Sequence, residues 1–354
     1  MVISESTIIK GEKAMENNRD SFGSNFGFIM AAVGSAVGLG NIWGFPYKIS
    51  AYGGFAFLLV YLALGIFVGL AVMVGEFVIG RKTGLSPIAA YRKLSKKFTW
   101  LGYMAVICPF LVLCFYFVLG GMVMRYAAGY LTAIFGWDTW GVSNIADFFG
   151  SFIMNGGQMI LWTAIFIVLN VAIVAGGIGE GIEKFCKVGM PALFVMLIII
   201  IIYVACQPGA GEGYKFIFGW DLSPLKEDWL LVLKSAAGQM FFSLSLGMGA
   251  MITYGSYLQK KESVQKNALI VVISDTTVAI MAAMVVVPAC FAFLGTNAGA
   301  GPGLLFKSMQ EVFHNMGYVG NIMGFLFYTL VFIAAITSSI SLLEVITAYK
   351  VDKN

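Results

Sequence analysis

The feature that most constrains this chain is the recurrence of long apolar runs, each about the 20 residues that carry a helix across ~30 Å of hydrocarbon. Eight runs can be read, at about 25–46, 54–79, 101–131, 158–175, 188–206, 229–258, 266–294 and 318–349. Lipid offers no partner to an unpaired backbone N–H or C=O, so each run is expected to be helical. The period-2 alternation and frequent turns of a membrane β-barrel are absent. Composition agrees: 59% of residues are apolar and 11% charged, against about half and about a quarter in soluble domains. So little charge could not cover a water-facing surface, which makes this an all-α membrane protein. The third run is long enough to require tilt or an extension past the bilayer.

Charge sets the orientation. The stretch before span 1 carries Lys10, Lys13 and Arg19, and the loop after span 2 carries Arg81, Lys82, Arg92, Lys93, Lys96 and Lys97 without one acid. Lys184, Lys187, Lys260, Lys261, Lys266, Lys350 and Lys353 fall on the same side, making 16 of the 22 basic residues. The other side holds Lys48, Arg125, Lys215, Lys226, Lys234 and Lys307. The positive-inside rule therefore places both termini in the cytoplasm of a plasma-membrane protein. Residues 1–24 form a polar cytoplasmic tail with no small-residue cleavage site closing a short apolar stretch, so a cleaved signal peptide is not expected. A net charge of +4 is too small to imply nucleic acid. Cys108, Cys114, Cys186, Cys206 and Cys290 form no CxxC pair, and His314 is the single histidine, so neither a disulfide framework nor a transition-metal site is expected.

Two spans are not bland. Span 1 reads Gly34-Ser-Ala-Val-Gly-Leu-Gly-Asn-Ile-Trp-Gly-Phe-Pro46, and span 6 reads Gly238-Gln-Met-Phe-Phe-Ser-Leu-Ser-Leu-Gly-Met-Gly249. Glycine weakens a helix by about 1 kcal/mol per residue, so both clusters favour a local break. Close helix packing would account for Gly34 and Gly38 alone, but it needs neither Asn41 nor the Ser243/Ser245 pair. Unwound backbone at membrane depth survives where it lines a cavity or is buried in protein. Two broken helices in corresponding halves point to a secondary transporter built as a 5+5 inverted repeat. The first repeat would be 25–206, and 207–354 an incomplete second one holding helices 6–8.

Ionisable groups inside spans cost roughly 2.5–3.5 kcal/mol on insertion scales, so they face protein or water. Asp275 in span 7 is the best candidate cation ligand. Glu76 in span 2 is expected to play a structural part, accepting hydrogen bonds from freed backbone. Glu344 in span 8 receives no role. Span 8 also supplies Thr337-Ser338-Ser339, a weak signal unless it faces the break in span 1.

Together, Gly38-Leu-Gly-Asn-Ile-Trp-Gly-Phe-Pro-Tyr47, the run from Ser243 to Gly249 followed by Tyr254 and Tyr257, and Ala334-Ala-Ile-Thr-Ser-Ser339 resemble the neurotransmitter:sodium symporter family, over about residues 19–354. The resemblance implies sodium-coupled symport of an amino acid by alternating access, with two sodium ions and no organic cofactor. The first sodium site would use the Ala36 carbonyl, Asn41, Ser243 and Asp275. The second would use the carbonyls of Gly34, Val37 and Ala334 with the hydroxyls of Thr337 and Ser338. Both sets are all oxygen, as a hard cation prefers. The substrate pocket would comprise Ser35, Gly38, Gly40, Val112, Tyr116, Phe242, Ser245, Met248, Ser338 and Leu342. Its carboxylate would meet sodium, the free amides of residues 38–40 and Tyr116; its ammonium would meet carbonyls around Phe242 and Ser245. No charge lines that pocket, so a neutral, apolar or aromatic amino acid is favoured. Asp275 stands where many relatives have Asn, and Ala279 where chloride-dependent members carry Ser, so chloride independence is expected.

Gly44 replaces an arginine that many relatives use in an outer gate, with Lys48 one turn later as a substitute, and Phe22 replaces a usual tryptophan. Arg19 and Asp352 match the family's cytoplasmic gate pair. The transport core of the family needs ten helices, so a short or regulatory relative that binds amino acid and sodium without net transport is the alternative reading. A channel is disfavoured because rings of like charge are absent, and an enzyme because no nucleophile–base pair or metal cluster occurs. The expected partners are the amino acid and the bilayer, and assembly as a homo-oligomer is compatible with the sequence.

Overall fold

The computed structural model describes residues 21–137, 142, 145–295 and 303–353. Arg19, half of the expected inner gate, lies outside the described residues. Among the described residues the regular structure is entirely helical. Six helices are long and apolar enough to cross a membrane: Phe55–Thr83, Lys96–Ile134, Gly156–Ala175, Ile178–Ala205, Val264–Leu294 and Tyr318–Lys353. A seventh crossing is bent by 49° between Asn25–Ala36 and Gly40–Ala51. The sixth apolar run of the sequence is divided into helices Ser223–Ser243 and Ala250–Ser256, and residues 244–249 between them are non-helical.

Helices outrun the apolar runs that predict them. The fifth, expected at 188–206, begins at Ile178 with a π-helical turn, so Lys184 and Lys187 sit on its first turns rather than in a loop. Backbone pairing need not stop where hydrocarbon ends; apolarity marks the membrane, not the helix. Thr99–Ile134 and Tyr318–Lys353 each have 36 residues, a rise of about 54 Å at 1.5 Å per residue.

Local sequence explains both breaks. Span 1 starts cleanly, with the Ser24 hydroxyl accepting from Gly27 N at 3.0 Å. It leaves the helix at Val37 (φ −72°, ψ 106°) and resumes as a π turn at Gly40–Gly44. A Cβ at Gly38 would overlap Ser338 Oγ and Tyr116 Oη, so only glycine lets the chain pass there. In span 6, Ser245 (φ 53°), Gly247 (φ 78°) and Gly249 (φ 70°) are left-handed within five positions, a conformation no right-handed helix can contain. Ser245 is the positive-φ residue with a side chain among those described, and its Oγ donates to Ser35 O at 2.9 Å. That bond ties one break to the other.

Spans 3 and 8 pack along each other, with the Tyr130 and Tyr328 rings stacked at 5.4 Å and the Tyr130 ring filling the place of a Gly324 side chain. Span 8 also reaches span 1, where a Cβ at Gly34 would sit 3.1 Å from Thr337 Cβ. The hydroxyl cluster of span 8 thereby faces the break in span 1.

Candidate functional site

Asp275 is fully buried. Its Oδ1 accepts from Asn41 Nδ2 at 2.7 Å and from Ser243 Oγ at 3.0 Å, and its Oδ2 lies 2.9 Å from Ser243 Oγ. Tyr61 Oη donates to Oδ2 at 3.4 Å. Every one of these neighbours is neutral. A buried carboxylate held by neutral groups is costly unless a cation joins it. Asn41, Ser243 and Asp275 are thus in direct contact, and Ala36 lines the adjoining cavity.

The second set gathers one turn away along span 1. Ser338 Oγ lies 3.2 Å from Gly34 O and 3.1 Å from Val37 O. Thr337 Oγ1 lies 2.9 Å from Ile333 O and 3.2 Å from Ala334 O. The Thr337 hydroxyl bonds back along its own helix, as hydroxyls in membrane helices do, while Ser338 bridges to the unwound carbonyls of span 1.

Between the breaks lies a narrow cavity of about 20 Å³, room for little more than a water. Ser35, Gly38, Gly40, Val112, Tyr116, Phe242, Ser245, Met248, Ser338 and Leu342 all line it, joined by Ala36 and Ser243. No lining side chain is charged. Leu113, Met248 and Leu342 form a buried apolar cluster, with Val112 and Phe242 packed against it. Polar groups come from spans 1, 3, 6 and 8 alike, and the apolar ones gather at Val112, Phe242, Met248 and Leu342.

One expectation needs correcting. The amides of residues 38 and 39 are not free: Gly38 N donates to Asn41 Oδ1 at 3.0 Å and Leu39 N to Tyr116 Oη at 3.0 Å. A break exposes donors, and nearby side chains take them up. A carboxylate arriving there would meet the Tyr116 hydroxyl rather than bare amides at residues 38 and 39.

Glu76 Oε1 accepts from Gly247 N, freed by the span 6 break, at 2.7 Å. Asp352 Oδ2 accepts from Ser86 N at 2.6 Å. Phe22 is buried edge-on against Phe28, Tyr254 and Tyr257. Lys48 lies in helix Phe45–Ala51 beyond Gly44, and the room at Gly44 is bordered by Gln239, 3.2 Å from where a Cβ would be.

Several residues escaped the sequence reading. Gln239 Nε2 donates to Gly40 O at 2.7 Å, pinning one break to the other. Glu183 accepts from Gly23 N at 2.7 Å and Ser24 Oγ at 3.0 Å, and pairs with Lys187 at 2.6 Å, so it caps the start of span 1. Asn25 and Asn267 exchange side-chain amide bonds of 3.2 and 2.8 Å. Glu344 Oε1 accepts from Tyr257 Oη at 2.7 Å. Gln239 and Glu344 were visible as polar residues in apolar runs, but their partners are far away in sequence.

Comparison with known proteins agrees with this geometry. The model of the sodium:neurotransmitter symporter family matches residues 19–148 and 149–354. The sodium-dependent transporter YhdH of Bacillus subtilis, itself uncharacterised, is 36% identical over 336 residues, 92% of this chain and 71% of YhdH. An uncharacterised sodium-dependent transporter of Haemophilus influenzae is 34% identical over 338 residues, 93% of this chain and 73% of that protein. The crystal structure of MhsT in complex with L-phenylalanine superposes with a TM-score of 0.85 at 41% identity, covering 95% of this chain and 75% of MhsT. On these grounds the chain is an integral membrane transporter rather than an enzyme, and it belongs to the sodium:neurotransmitter symporter family.

Proposed function

We propose that this protein binds two sodium ions and a neutral, apolar or aromatic amino acid between the breaks of spans 1 and 6, and carries them together into the cell by alternating access. The observation that carries the reading is Asp275: a buried carboxylate, ringed by neutral Asn41, Ser243 and Tyr61, beside an uncharged cavity. Sodium fits this set, since every available ligand is an oxygen. Ala36, Asn41, Ser243 and Asp275 would hold one ion; Gly34, Val37, Ala334, Thr337 and Ser338 the other.

The substrate would part the walls of this narrow cavity, its carboxylate toward Tyr116 and the first ion, its ammonium toward the carbonyls near Phe242 and Ser245. Its side chain would meet Val112, Phe242, Met248 and Leu342. Phenylalanine, the ligand named for MhsT, suits such a wall, and flexible Met248 would adapt to more than one size. Termini in the cytoplasm, and repeats at 25–206 and 207–354, complete the reading.

The test is sodium-dependent binding of labelled phenylalanine, leucine and tryptophan to purified protein, alongside uptake into proteoliposomes. Binding and uptake that both require sodium are expected. Asp275→Ala should weaken sodium-dependent binding roughly 100-fold, the loss that follows truncating one member of a buried charge pair. Wild-type sodium dependence in that variant would sink the first ion site. Binding without uptake would favour a relative that occupies its site without turning over.

A further inference from the structure

Residues 77–137 contain no acid, yet Arg92, Lys93, Lys96 and Lys97 follow one another within six positions between spans 2 and 3. All four are exposed. Among the described residues no carboxylate pairs with any of them. Arg92 makes a 3.3 Å bond to the Tyr103 hydroxyl, and Lys97 sits 6.0 Å from the Phe98 ring.

The same stretch turns large apolar side chains outward: Leu94 is 44% exposed, Phe98 46% and Trp100 58%. A water-facing loop has no reason to show leucine, phenylalanine and tryptophan together. A segment within hydrocarbon could not carry four cations. The combination suits the boundary between headgroups and acyl chains, where aromatic rings settle and cations meet phosphate.

The segment is also held firmly. Helix Pro87–Leu94 buries Pro87, Ile88 and Ala90, and a Cβ at Gly102 would come within 2.6 Å of Ile88 Cα, so the helix lies hard against the start of span 3. Its leading residue, Ser86, is tied through its amide to Asp352 at the end of span 8.

We propose that residues 92–100 form a binding surface for anionic phospholipid headgroups in the leaflet at this end of the bundle. Arg92, Lys93, Lys96 and Lys97 would contact the phosphates, and Leu94, Phe98 and Trp100 the upper acyl chains. Clusters of four or more cations beside a membrane helix bind anionic lipid through such charge complementarity, and the attraction fades within a Debye length.

The test uses the full chain in vesicles of phosphatidylglycerol and phosphatidylcholine, with spin-labelled versions of each lipid reporting its association with the protein. Wild-type protein should prefer phosphatidylglycerol, and the combined variant Lys93→Gln/Lys96→Gln/Lys97→Gln should lose about threefold of that preference or more. Lys215→Gln/Lys226→Gln, at the opposite end and also exposed, should leave it unchanged. An unaltered preference in the first variant, or an equal loss in both, overturns the proposal; the former would turn attention to an acidic protein partner. A second measurement needs no variant. Photoactivatable phosphatidylglycerol should crosslink to residues 92–100 of wild-type protein, and crosslinks confined elsewhere would equally overturn it.

Discussion

Gly38 occupies the narrowest passage in the site, with Ser338 and Tyr116 filling the place of any side chain. Gly38→Ala must push span 8 or Tyr116 away, at about 1–3 kcal/mol for an overpacked core position. Amino-acid affinity is therefore expected to fall roughly tenfold or more, read by equilibrium binding at saturating sodium. Glu76 offers a different kind of test. Glu76→Gln keeps an acceptor for Gly247 N, whereas Glu76→Leu removes the bond altogether, at about 0.5–1.5 kcal/mol. Thermal unfolding should separate the two, with leucine clearly the less stable. At this scale the site was legible where polar atoms interrupt apolar sequence, as at Asn41, Ser243 and Asp275. Tyr61 gave no such signal, because tyrosine is ordinary in a membrane helix. Gln239 stood within a motif, but its bond to Gly40 joins positions 199 residues apart, a pairing that only the folded chain supplies.

Among elements, the two breaks were readable because glycine and side-chain oxygens cluster there; their conformations were not. The sequence of span 6 does not say that Ser245 as well as Gly247 and Gly249 turns left-handed. Gly249→Ala meets both a positive φ and a crowded place, with Pro87 Cγ 2.7 Å and Ala105 O 2.8 Å from the new Cβ. It should cost more than the 1–2 kcal/mol of a left-handed alanine and lower the melting temperature accordingly. Helix boundaries were less legible, since Lys184 and Lys187 read as loop yet continue a helix. Glu183, hidden next to them, caps span 1. Glu183→Ala should free the first turn of Asn25–Ala36 and raise amide exchange there about tenfold, the effect of one lost charge-assisted bond. Hydrogen exchange of the peptide spanning residues 21–30 reports it directly.

For the whole molecule, composition alone gave the membrane class and charge gave a direction. Both sum over the entire chain, so neither depends on a single helix end. The direction predicts that Lys97→Cys reacts with a membrane-impermeant thiol reagent only in opened cells and Trp220→Cys in intact ones, in a background lacking the native cysteines. What no sum could supply is the depth at which spans 1, 6, 7 and 8 converge.

The two 36-residue helices make one more consequence plain. Each is unbroken and packed on the other, whereas Asn25–Ala36 and Ala250–Ser256 are 12 and 7 residues long with a non-helical joint at one end. On the alternating-access reading proposed above, such a pair is the stator and the short segments are the parts that swing. Rigidity can then be added to one without braking the other. Stabilising substitutions on the lipid face of span 3 should raise the melting temperature at unchanged turnover, and the same gain placed in either short segment should slow the cycle.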